Sequence, residues 1–259
     1  MKVVILAGGY GKRISEESRL RPKPMIEIGE MPILWHIMKY FGHFGAKEFI
    51  ICCGYKGYTI KEYFADYYLR KSDVTFDFAS GGEMTVHNNV SEPWRVTVVD
   101  TGADTMTGGR LRRIEKFVGG DRFYLTYGDA LSDIHLPSLL QTHIKSGKTA
   151  TLSAIRPGGR FGALSINERD GSITSFREKA KEDSEWINAG FMIMEHGIFD
   201  CLYDDQTVLE SQSLPWLSEN GKLGVYKHCG FWQCMDTLWD KEQLETLWAS
   251  GAPWRVWAG

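Results

Sequence analysis

Val3, Val4, Ile5 and Leu6 form an unbroken apolar run, the pattern of a strand buried on both faces, which empties into Ala7, Gly8, Gly9, Tyr10 and Gly11. Pro32 then opens a stretch in which Ile33, Leu34, Ile37, Met38 and Phe41 recur at helical spacing, predicting a helix with Gly42 as its stop. Residues 48–53 read as a second buried strand and 58–69 as a second helix. Strand, helix, strand, helix with short connections predicts a parallel sheet with right-handed crossovers. Ligands of such sheets bind beyond the carboxyl ends of the strands, where residues 7–13 lie.

After residue 70 the period changes to two. Val74, Phe76 and Phe78 alternate with polar residues up to Gly81-Gly82, and Met84 and Val86 alternate beyond, which predicts a hairpin projecting from the sheet. Its apolar face needs cover from the rest of the fold or from another subunit. Further strands are predicted at 94–99, 122–127, 149–155 and 187–194, and helices at 111–117, 137–146 and 238–249, with Asp170-Gly171 as a second hairpin turn. The fold class is therefore α/β, a Rossmann-like mixed and mostly parallel sheet flanked by helices, with a projecting β-hairpin. Trp254 and Trp257 sit in a tail that would fray unless docked on the body or on a neighbouring subunit.

Composition narrows the function. No Ser/Gly/Pro-rich or like-charged stretch divides the 259 residues, so one domain over 1–259 is expected. A formal charge of -3 gives no electrostatic reason to expect nucleic acid or an anionic membrane as partner. Five cysteines without a C-x-x-C pair indicate neither a disulfide framework nor a zinc site, which fits a reducing cytoplasm. The apolar run after Met1-Lys2 is too short for a signal-peptide core, and no stretch approaches the roughly 18 apolar residues of a membrane span.

The glycines after the first strand let the backbone approach an anion and turn N–H groups toward it, and Lys12 and Arg13 add charge. Lys23, held between Pro22 and Pro24, puts a second cation on extended chain. Together they suggest a nucleoside triphosphate site. Spacing excludes a Walker loop, since Leu6 and Arg13 stand where Gly and Ser or Thr are needed, and excludes a dinucleotide fingerprint from Gly9, since Ile14 replaces its last Gly. Asp129 follows a strand and Gly128, well placed for Mg²⁺ with phosphate oxygens, although taken alone a turn or N-cap role suits it better. Asp236, just before a helix, could complete such a site, although an N-cap role for Asp236 or Thr237 is natural. Glu178, Lys179 and Asn188 can bind sugar hydroxyls and a phosphate, and Thr107 to Arg110 offer amides to a base or phosphate. The chain has no G-x-S-x-G and no H-E-x-x-H, and its seven histidines, His36 among them, read as structural.

In chain order, L-A-G-G-x-G-x-R from Leu6 to Arg13, the P-K-P lysine Lys23, Gly128-Asp129, Glu178-Lys179, the N-x-G of Asn188 to Gly190, and late Asp236 resemble the sugar-phosphate nucleotidyltransferases. I-I-C-C-G-Y-K-G-Y at 50–58 and M-T-G-G-R-L at 106–111 resemble the cytidylyl branch of that family, and the resemblance spans essentially the whole chain. It implies the nucleotide-diphospho-sugar transferase fold, CTP and α-D-glucose 1-phosphate as substrates, CDP-glucose and pyrophosphate as products, Mg²⁺ as cofactor, a hexamer, and a product used in lipopolysaccharide O-antigen synthesis. By position it implies that Leu6, Ala7, Gly8, Gly9, Tyr10, Gly11, Lys12, Arg13 and Lys23 hold the triphosphate. It implies Thr105, Arg110 and Gly128 on the nucleotide side, Asp129 and Asp236 at the metal, and Glu178, Lys179 and Asn188 at the sugar phosphate. Arg13, Lys23 and Lys179 would supply catalytic charge.

The chain departs from the family pattern in three ways. Lys12 replaces a hydroxyl residue of the loop, Ala180 replaces the proline of E-K-P, and Ala130 and Ala189 replace glycines whose added methyls could crowd the sugar. Two rivals remain: the same chemistry on UTP, dTTP or another sugar 1-phosphate, and a catalytically silent nucleotide-sugar sensor.

Overall fold

The computed structural model describes residues 1–157, 163–166, 173–177 and 185–257. Seven strands, β1 (Val3–Ala7), β2 (Glu48–Cys53), β3 (Arg95–Asp100), β4 (Phe123–Tyr127), β5 (Ala150–Ile155), β6 (Ile187–Met194) and β7 (Leu223–Lys227), form one sheet in the order β7-β5-β6-β4-β1-β2-β3. All neighbours pair parallel except β6, which runs antiparallel to both β4 and β5. The sheet is thus mixed and mostly parallel.

β1 is apolar throughout because both its faces are covered. Val3, Ile5 and Ala7 pack in one core with the helix Ile33–His43, and Val4 and Leu6 in a second core with Leu111, Ile114 and Val118. From β1 the chain builds outward to β2 and β3, then returns to place β4 on the other side of β1. That reversal leaves a crevice at the carboxyl ends of β1 and β4. The reversed β6 has the opposite effect at the same edge: its first residues, including Asn188, lie there rather than its last.

Several local expectations shift. Gly42 does not stop the first long helix, which runs to His43 and ends where Gly45 turns with φ +87° and donates its N–H to the Gly42 carbonyl at 2.9 Å. The helix expected over 58–69 is two, Gly57–Ala65 and Tyr67–Arg70, parted at Asp66 with φ −102°. The one expected over 111–117 starts earlier, at Thr107, and breaks at Ile114 into Thr107–Arg113 and Glu115–Val118. β7 escapes the sequence pattern because it is an edge strand with Gly224 inside it.

Both hairpins form. Asp73–Asp77 pairs antiparallel with Glu83–His87, and Ala163–Ile166 with Ile173–Arg177; the turn at Asp170-Gly171 lies outside the described residues. The fold leaves the first hairpin's apolar face open, with Phe76 53% and Phe78 84% exposed. The C-terminal tail docks on the body: Trp254 is buried, stacks on Phe231 and donates its indole N–H to His36 Nδ1 at 3.4 Å, and Trp257 meets Trp35 edge-on. His36 is structural, its Nε2 2.7 Å from the Ile28 carbonyl. All five cysteines are free thiols, and among the described residues no helix is long and apolar enough to cross a membrane.

Candidate active site

The crevice at the ends of β1 and β4 is a cleft of about 710 Å³ lined by Leu6 to Arg13, Lys23, Pro24, Ala103 to Thr107, Arg110, Tyr127 to Asp129, and Gln206. The glycine loop runs along it. Gly11 takes the left-handed conformation (φ 63°, ψ 31°) and turns the chain into a short helical turn at Lys12–Ile14. Lys12 is exposed, with its ammonium 5.7 Å from the Tyr10 ring centre.

One end of this loop reaches a charged cluster. Lys23 Nζ donates to Asp129 Oδ2 at 2.7 Å and to Asp236 Oδ1 at 2.5 Å, and Arg13 Nη1 lies 2.6 Å from Asp236 Oδ2. The two acids, distant in sequence, meet through a two-stranded ribbon in which Ala130–Ser132 pairs antiparallel with Trp232–Cys234. The Met235 N–H donates to the Asp129 carbonyl at 2.8 Å, and the Gly128 N–H to the Leu6 carbonyl at 3.0 Å, tying the ribbon to β1. Burial opposes ionisation of Asp236, but Lys23 and Arg13 outweigh it and hold its carboxyl below the usual carboxylate range. Burial likewise opposes the charge on Lys23, and its two carboxylate partners raise its pKa regardless.

Neither acid is used as a helix cap, while Asp129 does stand in the turn Gly128-Asp129 between β4 and the ribbon. Thr237 caps the helix Leu238–Ser250 in a reciprocal box with Asp240, so the Asp236 carboxylate is not consumed as a cap. Asp129 caps no helix; it sits between β4 and the ribbon with its carboxylate on Lys23.

The other end of the loop rests on Arg110. This side chain is only 5% exposed, and its guanidinium donates to the carbonyls of Gly8, Cys53, Gly102 and Ala103 and to the Thr101 hydroxyl at 2.6–3.1 Å. Burial pushes its pKa down, and no carboxylate pairs with it among these contacts. The carbonyls of three separate loops therefore share one cation. Gly8 and Gly54 must lie flat against it: a Cβ at Gly8 would be 2.2 Å, and at Gly54 2.5 Å, from Arg110 Nη1. Next to it, Tyr10 Oη donates to Asp104 Oδ1 at 2.7 Å, joining the glycine loop to the segment after β3.

Thr105 and Gly128 also line the cleft. Asn188 stands at the start of β6 with its side-chain carbonyl on the Gly190 N–H at 2.9 Å. Glu178, Lys179 and Ala180 lie outside the described residues. Ala130 and Ala189 are both buried in the hydrophobic core, so their methyls fill packing space. Sequence reading missed the Tyr10–Asp104 contact, the carboxylate of Glu210, which accepts from Tyr127 Oη at 2.5 Å and Thr107 Oγ1 at 2.6 Å, and Gln206 at the cleft rim. None stands in a local pattern that signals it.

The sequence profile of the Nucleotidyl transferase family matches residues 2–223. Glucose-1-phosphate cytidylyltransferase of Salmonella typhimurium is 52% identical over 259 residues, covering 99% of this chain and 100% of the relative. D-glycero-alpha-D-manno-heptose 1-phosphate guanylyltransferase of Campylobacter jejuni is 30% identical over 200 residues, covering 77% of this chain and 78% of the relative. Among solved structures, HddC from Yersinia pseudotuberculosis superposes with a TM-score of 0.69 at 22% identity, covering 95% of this chain and 99% of that one. A UDP-glucose pyrophosphorylase complexed with UDP-glucose does so with a TM-score of 0.68 at 16% identity, covering 96% and 98%. These two share the fold. A glycine loop at the switch point of a mostly parallel sheet, paired acids at its edge and relatives matched from end to end agree: the chain belongs to the nucleotidyl transferase family.

Proposed function

We propose that this protein transfers the cytidylyl group of CTP to α-D-glucose 1-phosphate, releasing pyrophosphate and forming CDP-glucose. The observation that carries the reading is the convergence of Lys23, Arg13, Asp129 and Asp236 at one end of the glycine loop. The end-to-end similarity to a glucose-1-phosphate cytidylyltransferase supports the choice of substrates.

The donor set suits Mg²⁺. Asp129 and Asp236 already share one cation, the Lys23 ammonium, and Mg²⁺ is commonly bound by one or two carboxylates with substrate phosphates completing the shell. Among the described residues no group of three or more His, Cys, Asp or Glu makes an all-protein cage, in keeping with a site that substrate completes. Asp129 and Asp236 would hold the ion, which supplies positive charge to the phosphoryl oxygens when bound.

The remaining work is alignment and charge neutralisation. The sugar phosphate has a second pKa of about 6 and is already an anionic nucleophile near neutral pH, so no general base is needed. Its oxygen forms the new bond to the α-phosphorus of CTP as the bond to the bridging oxygen of pyrophosphate breaks, in line and without a covalent enzyme intermediate. Backbone amides of Gly8 to Arg13 cradle the triphosphate, Lys23 and Arg13 offset its charge, and Lys179, Glu178 and Asn188 hold the sugar phosphate. Residues 1–259 act as one domain, in the cytoplasm, within a homo-hexamer.

Pyrophosphate release from purified protein with Mg²⁺ and glucose 1-phosphate, compared across CTP, UTP, dTTP, ATP and GTP, tests the reading. Release with CTP alone is expected. Equal release with UTP or dTTP would retain the enzyme class and discard the cytidylyl assignment.

A further inference from the structure

The glycine loop gives the cleft a direction. Its Arg13 end reaches Asp236 and the Lys23 cluster, whereas Gly8 and Tyr10 reach Arg110 and Asp104. A nucleoside triphosphate with its phosphates at the cation and carboxylate end must lay its base against the other wall, built from Ala103 to Thr107 and capped by Gln206. This orientation rests on the function proposed above.

At that wall most polar side chains are already engaged. Asp104 accepts from Tyr10, Thr107 donates to Glu210, Asp205 pairs with Arg113, and Arg110 spends its two Nη nitrogens on five acceptors. Gln206 differs. It lines the cleft from an exposed turn, its backbone N–H is fixed by Asp204 Oδ1 at 2.9 Å, and its side-chain amide makes no hydrogen bond to the described residues. Met106, 44% exposed and also lining the cleft, adds an apolar surface beside it.

We propose that Gln206 is a base-contacting residue that binds the pairing edge of the cytosine. A carboxamide carries a donor and an acceptor in one plane. Cytosine presents the complement, its 4-amino group donating and its N3 accepting. The Gln206 carbonyl takes the 4-amino hydrogen while its NH₂ donates to N3. The turn holding Gln206 is tied to the cleft wall where the Met106 N–H donates to the Asp205 carbonyl at 2.8 Å, so the amide is delivered on a fixed backbone.

The test compares CTP with the triphosphate of the cytidine analogue lacking the 4-amino group, on wild type and on Gln206→Ala. A bidentate base contact is worth about 1–3 kcal/mol, so loss of the amino group should lower wild-type kcat/KM by about tenfold. In Gln206→Ala, KM for CTP should rise about tenfold with kcat, KM for glucose 1-phosphate and melting temperature unchanged, and the penalty for the analogue should vanish. Gln206→Asn, with a shorter amide, should fall between. An analogue penalty equal in wild type and Gln206→Ala, or an unchanged KM for CTP, would overturn the role of Gln206 while leaving the reaction intact. Wild-type protein silent on CTP would overturn the reaction, and the base contact with it.

Discussion

Cys234 lies opposite Ala130 across a three-residue ribbon, and this register brings the carboxylates of Asp129 and Asp236 to one ammonium, that of Lys23. A one-residue slip would turn alternate side chains to the opposite face and part the acids. The ribbon is thus the element on which the charged end of the cleft depends.

Asp129→Asn keeps the shape of the side chain and removes its charge. Loss of one stabiliser of the phosphoryl charge typically costs 10²–10³ in turnover, about 3–4 kcal/mol, and a fall of that size is expected at saturating Mg²⁺. Asp236 still pairs with Lys23, so the melting temperature should move little. Steady-state kinetics showing near-normal turnover would remove Asp129 from the metal site.

Arg110 is a staple more than a free cation, because both its Nη nitrogens are spent on four carbonyls and a hydroxyl. Arg110→Met should cost about 3 kcal/mol of stability without any ligand, since each buried acceptor left unpaired costs about 1–3 kcal/mol. Lysine should rescue poorly, lacking the planar fork. Gly8→Ala should also destabilise the protein, its Cβ falling 2.2 Å from the guanidinium. Urea unfolding reads both; an Arg110→Met variant of full stability that loses only CTP affinity would make Arg110 a direct ligand instead.

His36 should set part of the acid limb of stability. Burial lowers its pKa to about 4 from 6.5, so between those values the unfolded chain takes up a proton that the folded one refuses. Stability contributed by the neutral imidazole is whole above pH 6.5 and declines as pH falls toward 4, by about 3 kcal/mol in all. His36→Met removes this slope, and urea unfolding at pH 7 and pH 4.5 should show a smaller difference for the variant than for wild type. Equal slopes would locate the acid sensitivity elsewhere.

The open apolar face of the first hairpin, with Phe78 84% exposed, is where subunit contact is expected. Phe78→Asp should therefore reduce the sedimenting mass and leave the far-ultraviolet spectrum unchanged. A variant that sediments as wild type does would take this face out of the proposed assembly.

The strands and helices of the first half were readable because the signals are local: β1 is apolar on both faces, and the spacing of Ile33, Leu34, Ile37 and Phe41 marks one helix stripe. Helix ends were read less well. Gly42 looks like a stop, yet the turn is made by Gly45, whose positive φ follows from the path of the chain into β2. β7 was missed because an edge strand with a glycine inside it carries little pattern.

By itself the sequence determined the alternation that makes a mostly parallel sheet, the glycine loop at the end of β1, and the charged residues Lys23, Asp129 and Asp236, since each depends on residue type and short-range spacing. Tertiary structure decided what those residues do to one another. Asp129 and Asp236 share a cation because a ribbon pairs two distant segments; Arg110 is consumed by backbone carbonyls because three loops end around it; Gln206 reaches the cleft because its turn packs on the helix Thr107–Arg113. Hydrogen bonds and ion pairs act over a few ångströms, and only the folded chain brings groups from distant positions within that range.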